Sequence, residues 1–357
     1  MLELLRTYAA QAEHALDPGW HDYLETGAGE EISLREAETA WHGYRLRPRV
    51  LRPVPEASTA VEILRQRLPT PVMIAPTAWH RMAHPDGEVE TARGARAAGS
   101  LMVVSTRASR PLAEIAPAAG PWWFQVYLTE DPALAEGMAA QAADLGAGAL
   151  VLTGDTPIVS TRTRTRVPAA DDDDPLVNLR SFMSQDPSPV AGRQRRDAGL
   201  ADIMRLTELT DLPVLVKGVL RGDDAAACLD AGAAGIVVSN HGGRQLDRAV
   251  ATAHALPEVV DAVGGRAPVL VDGGIRSGVD AVVALALGAT GVLLGRPPVW
   301  GLAAGGADGV RAVLEAVTED LREAMTLLGA RDVSEITRAD VLAPHLRTRS
   351  GAATDLG

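Results

Sequence analysis

Short apolar runs rich in Val, Ile and Leu recur along the chain, and each breaks off into a glycine or a polar residue. They lie at Pro71–Ala75, Leu101–Ser105, Trp123–Tyr127, Ala149–Thr153, Val214–Lys217, Gly235–Ser239, Val269–Asp272 and Gly291–Gly295. Continuous apolar strands of this kind suit a parallel sheet covered on both faces. Between them stand Ala-rich amphipathic stretches such as "DPALAEGMAAQAADLGA" and "GDDAAACLDAGAA", several ending in Gly-Ala or Ala-Gly as a helix C-terminus should. Eight such β-α units predict an α/β fold, a (β/α)8 TIM barrel, with an open doubly wound sheet as the competing arrangement. Residues 1–70 read as a helical N-terminal extension, 71–342 as the barrel and C-terminal helices, and 343–357 as a tail, all within a single domain. A long aperiodic loop follows strand 4, from Arg162 to about Arg196, and reads as a lid or an irregular segment. Its "DDDD" run is read as solvated loop; no metal site is expected.

The unusual residues gather where the strands end, which in a barrel is the active face. Thr77, Ser105, Gln125, Tyr127, Asp155, Lys217, His241, Arg244, Asp272 and Arg296 all stand at or just after an apolar run. "VDGGIRSG" and "GRPPVWG" put glycines and an arginine (Arg276, Arg296) after strands 7 and 8, where barrels commonly bind phosphate. His241 is the candidate base, because imidazole titrates near neutrality. Asp155 is placed to orient it, as the acid of a triad does. Arg244, three residues on, offers a fork for a carboxylate. A base beside a carboxylate clamp implies chemistry at the carbon next to a carboxylate. No Ser or Cys stands in a nucleophile setting. Lys217 suits negative charge on a ring system, or equally a salt bridge inside the barrel with Asp272.

Charge narrows the partners. The formal balance is −12, with 34 basic against 46 acidic residues, which excludes an extended nucleic-acid or anionic-membrane surface. The single cysteine, Cys228, rules out an internal disulfide and reads as a small buried hydrophobe. The N-terminus looks like an amphipathic helix and not a signal peptide, and no run approaches the roughly 20 apolar residues of a membrane span. The expected location is the cytoplasm.

"SNHGGRQLD" resembles the signature of the FMN-dependent α-hydroxy acid oxidases and dehydrogenases, the family of glycolate, lactate and mandelate or hydroxymandelate oxidases. "DYLETGAGEEISL", "PVMIAPTA", "MAHPDGE", "WFQVYL", "TGDTP", "LPVLVKG", "VDGGIRSG" and "GRPPVWGLAAGG" extend the resemblance over roughly residues 5–342. It implies the same barrel and an FMN cofactor. It makes His241 the base paired with Asp155, and has Arg244, Arg162 and Tyr23 bind the substrate carboxylate while Tyr127 contacts the substrate oxygen. Pro76, Thr77, Ala78, Ser105, Gln125, Thr153, Lys217, Ser239 and Asp272 would lie along the flavin and its ribityl chain. Gly273, Gly274, Arg276, Gly295 and Arg296 would hold its phosphate.

The implied activity is oxidation of an (S)-2-hydroxy acid to the 2-oxo acid, with reoxidation by O2 releasing H2O2, or by another acceptor. The family is commonly a homotetramer. Three points depart or stay open. In "DTPIVSTRTRTRV" both Arg162 and Arg164 are within reach of the carboxylate role. Arg107 stands where glycolate oxidase has a Trp, and either selects a polar or acidic substrate tail or is a solvent-facing lid residue. Two other readings remain: a same-fold flavoenzyme acting on a larger peptide or natural-product intermediate, and a non-oxidative FMN-binding barrel.

Overall fold

A computed structural model describes residues 2–164, 177–178, 182 and 192–343. The four-Asp run and the tail beyond 343 lie outside them. Eight parallel strands close into a barrel: β1 (Val72–Ile74), β2 (Met102–Val104), β3 (Trp122–Val126), β4 (Leu150–Thr153), β5 (Val214–Val219), β6 (Gly235–Val238), β7 (Val269–Val271) and β8 (Gly291–Leu294). Strand order follows chain order, and the ring shuts where Val72, Met73 and Ile74 pair with Val292, Leu293 and Leu294. The barrel reading holds and the open-sheet alternative falls.

The pleat sorts each strand's side chains into two cores. Met73, Val103, Trp123, Val151, Leu215, Val237, Leu270 and Leu293 pack together inside the barrel. Their neighbours, such as Val72, Ile74, Met102, Val104, Phe124, Leu152 and Val216, face outward into a second cluster shared with the surrounding helices. Both faces being apolar is why the strands read as unbroken hydrophobic runs.

The N-terminal extension is helical only as far as His42: Leu2–Ala15, Pro18–Glu25 and Ile32–His42. Beyond it, Val61–Ile63 and Gln66–Leu68 form an antiparallel hairpin that the helical expectation missed. Ile63 and Leu68 insert into the inner core, and the Trp123 indole N–H donates to Gln66 Oε1 at 2.9 Å. The hairpin thus plugs the N-terminal mouth and satisfies a polar atom that burial would otherwise strand. The opposite mouth stays open.

Candidate active site

The inner-facing residue two positions beyond each core residue forms a second layer: Ala75, Ser105, Gln125, Thr153, Lys217, Ser239, Asp272 and Gly295. Polar bonds tie this layer together. Ser105 Oγ donates to Gln125 Oε1 at 3.3 Å, and Gln125 Nε2 donates to Thr153 Oγ1 at 3.0 Å. Lys217 Nζ donates to Ser239 Oγ at 2.8 Å and lies 3.2 Å from Asp272 Oδ2. The Lys217–Asp272 bridge anticipated from the sequence therefore exists, but at the floor of an open cavity.

That cavity, about 1300 Å³, is larger than a typical single small-ligand site. Its walls include Pro76, Thr77, Ala78, Ser105, Lys217, Asp272, Gly273, Gly274, Arg276, Gly295 and Arg296, together with Tyr23, Arg107, Tyr127, Arg162, His241 and Arg244. Gln125, Thr153, Ser239 and Asp155 stand behind these residues.

His241 Nδ1 lies 3.0 Å from Asp155 Oδ1 and 3.3 Å from Oδ2. A carboxylate only accepts, so Nδ1 carries a proton toward Asp155, and Nε2 is the ring nitrogen this contact leaves available. Burial alone would raise the Asp155 carboxyl; the charge and hydrogen bond of His241, with Lys217 and Thr156, more than offset this and hold it below its ordinary value. Thr156 Oγ1 donates to Asp155 Oδ1 at 3.0 Å. Tyr127 is pushed up, chiefly by burial and then by the Asp155 and Tyr23 charges, so its hydroxyl remains a donor.

Tyr23 is delivered by helix Pro18–Glu25, which starts with the Asp17 side chain accepting the Gly19 N–H at 2.8 Å and a proline in the first turn. Arg244 Nη1 donates to the carbonyls of Tyr23, Leu24 and Thr26 at 2.6, 3.1 and 3.0 Å. The guanidinium thus caps that helix's C-terminal end and fixes the extension over the barrel mouth. The Arg244 and Arg162 guanidiniums lie 4.8 and 5.2 Å from the Tyr23 ring centre. Desolvation first, then the Arg244 charge, lowers Arg162 to about 10, and its Nε is buried with no partner among the described residues. Two like charges held together this way form a site for an anion. Arg164 is turned away, donating to Glu31 Oε2 at 2.9 Å. Of the two arginines left open by the sequence, Arg162 is the one in the cavity wall.

The family model for FMN-dependent dehydrogenase matches residues 12–343. The chain belongs to the FMN-dependent dehydrogenase family. Within that family it is 41% identical to L-lactate oxidase of Nostoc sp. over 335 residues, covering 88% of this chain and 91% of that one. It is 42% identical to 4-hydroxymandelate oxidase of Amycolatopsis orientalis over 329 residues, covering 89% and 92%. The structure of a mandelate oxidase with (S)-4-hydroxymandelic acid superposes with a TM-score of 0.85 at 38% identity, over 95% of this chain and 98% of that chain.

The family's cofactor, FMN, fits the remaining wall. Asp272 Oδ1 and Arg296 Nη2 are buried without hydrogen-bond partners among the described residues, an acceptor beside the floor and a cation beside the strand-8 glycine. A Cβ placed on Gly295 would meet nothing within 4 Å, so the backbone there borders open space. Burial, the largest influence, lowers Arg296 to about 9, which a phosphate dianion would reverse. Lys217, Ser239 and Asp272 would hold the ring and ribityl polar atoms, and Arg276, Gly295 and Arg296 the phosphate. Gly274 has a further reason to lack a side chain: its φ is +78° and a Cβ would lie 2.0 Å from the Ala37 carbonyl oxygen.

Some site residues escaped the sequence reading. Trp79 lines the cavity and packs against Tyr23 and Trp20, with ring centres 5.0 and 5.9 Å away. It follows Ala78 directly, and its φ of +58° leaves no trace in the sequence. Thr156 adjoins Asp155 and could have been taken with it. Arg193 and Arg196 line the mouth from the far end of the long loop, a distance no local pattern spans.

Proposed function

We propose that this protein oxidises an (S)-2-hydroxy acid to the 2-oxo acid, with O2 taking up the electrons and H2O2 leaving. The observation that carries this is the His241–Asp155 pair in one cavity with Arg162 and Arg244, which no carboxylate among the described residues bridges. FMN supplies the two-electron acceptor that no side chain provides. Arg162, Arg244 and Tyr23 bind the substrate carboxylate, which places the hydroxyl-bearing carbon near His241. Tyr127 donates to the substrate oxygen. His241 Nε2 accepts one substrate proton, and the imidazolium that results is stabilised by ionised Asp155. Lys217, at the cavity floor, would hold the cofactor's ring and offset negative charge there. The ring of Tyr23, flanked by Trp79, narrows the way in for water.

The resemblance supports a homotetramer acting in the cytoplasm, and light scattering reads the tetramer. Among the described residues no helix is long and apolar enough to cross a membrane.

Anaerobic titration of the FMN-loaded protein tests the reaction. The panel runs from glycolate and L-lactate through (S)-malate to both enantiomers of mandelate and 4-hydroxymandelate. The visible flavin band is expected to bleach with an S-acid and to return, with H2O2, when air is admitted. Bound flavin that no member bleaches would favour the non-oxidative barrel.

A further inference from the structure

Several cations line the cavity. Arg276 and Arg296 stand beside the glycines after strands 7 and 8, and Arg162 and Arg244 flank Tyr23, with Arg244 and Arg296 meeting at the Leu24 carbonyl. FMN phosphate and the substrate's own carboxylate account for these four. Neither accounts for Arg107.

Strand β2 ends at Val104, and Arg107 stands in the turn that follows, where the Ala108 N–H donates to the Ser105 carbonyl at 3.0 Å. It lines the same cavity as Tyr23, Tyr127 and His241. Its carbonyl accepts the Trp79 N–H at 3.1 Å and its own N–H donates to Ser105 Oγ at 3.0 Å, so its backbone is fixed.

The guanidinium is partly buried and largely unspent. Its one side-chain hydrogen bond among the described residues runs from Nη2 to the Gly192 carbonyl at 2.7 Å. No described carboxylate pairs with it. Burial lowers its affinity for its proton, the sign of a charge held in poor solvation. The same cavity is lined by Arg193 and Arg196 and, among the described residues, by the carboxylates of Glu130 and, at the floor, Asp272. A neutral or aliphatic tail would desolvate Arg107 further and return nothing. A carboxylate would take the N–H groups that no described residue accepts, through charge-assisted bonds.

We propose that Arg107 receives a second carboxylate, so that the preferred substrate is a short (S)-2-hydroxy dicarboxylic acid. This rests on the oxidase reading above. The α-carboxylate lies between Arg162 and Arg244, the distal one on Arg107, and the hydroxyl-bearing carbon between them faces His241. The chemistry is unchanged: carbon 2 loses two electrons and two protons, and the distal carboxylate leaves intact.

Anaerobic rapid mixing of the holoenzyme with (S)-malate, (S)-2-hydroxyglutarate, L-lactate and (S)-mandelate tests it. One diacid is expected to reduce the flavin at least about tenfold faster per unit concentration than either monoacid. In Arg107→Met that preference should fall by about 10- to 100-fold, the loss of a charge-assisted pair, and Arg107→Lys should restore part of it. Because this is a ratio within one protein, altered flavin content cancels. Faster reduction by lactate or mandelate, the latter stacking on the guanidinium instead, would overturn the proposal, as would a preference unmoved by Arg107→Met. Binding separates the two readings. If no acid reduces the flavin, the oxidase reading falls, but the unreactive 2-oxoglutarate should still perturb the spectrum more tightly than pyruvate. Loss of that difference in Arg107→Met upholds the second anion site, and its absence from the wild type rejects the site.

Discussion

His241 occupies the left-handed region, φ 57°, between Asn240 and Gly242. For a residue with a Cβ this costs on the order of 1–3 kcal/mol, and such strain persists only where the surroundings enforce it. Here the His241 N–H donates to Ser239 Oγ at 3.1 Å, and the Asn240 side chain accepts the Gly243 N–H at 3.2 Å. The turn thereby aims the imidazole at Asp155. The two residues were legible separately, as a base and a carboxylate at two strand ends; the turn that joins them was not. If they work as one unit, His241→Asn should retain flavin and slow its reduction by about 10²- to 10⁴-fold. Asp155→Asn should cost a comparable factor, through a misplaced tautomer and an unsupported imidazolium. The double variant should then be no slower than His241→Asn alone. Rapid-mixing rates for the three proteins decide this, since losses that multiply would show the residues acting independently.

At the scale of elements, the barrel was legible because each strand is buried on both faces and its inner-facing positions turn polar at one end. Val237 to Ser239 and Leu270 to Asp272 show the switch within two residues. The hairpin before β1 was not legible. Its turn is built on Leu64 and Arg65, both at positive φ, where a glycine or asparagine would have announced it. What holds that turn is the insertion of Ile63 and Leu68 into the barrel, a tertiary cause. Contact between elements also explains a glycine credited in the sequence only with phosphate binding. Gly274 lets the β7 loop touch helix Ile32–His42 backbone to backbone. In Gly274→Ala the methyl group would collide with that helix and hold a disfavoured φ. The melting temperature should fall, and by more in the FMN-loaded protein than phosphate contact alone would give, because the N-terminal extension carrying Tyr23 must shift. Melting of the apo form separates the causes: an unchanged apo melting temperature would leave only the phosphate role.

Over the whole molecule the charge is −12, yet the cavity gathers Arg107, Arg162, Arg244, Arg276, Arg296 and Lys217. A cleft of one sign on a protein of the other focuses its field and draws in anions of matching size. Arg296 is among the most enclosed of the arginines. Its Nε donates to the Leu24 carbonyl at 2.9 Å and stands 3.7 Å from Glu25, while Nη2 has no partner among the described residues. The site is therefore built around a charge that burial depresses to about 9. An anionic phosphate beside it would raise that value, so binding favours the protonated form. The sign follows from linkage. Below about 9 the free protein already carries the proton and FMN affinity is insensitive to this group. Above it, binding must take up a proton, and the dissociation constant should rise about tenfold for each pH unit. Fluorescence titration of apo protein with FMN from about pH 8 upward reads this directly. Arg296→Gln should bind more weakly near pH 8 and lack this component of the rise, which also subtracts the flavin's own titration. Equal slopes in the two proteins would mean that the phosphate charge is met elsewhere, with Arg276 the next candidate.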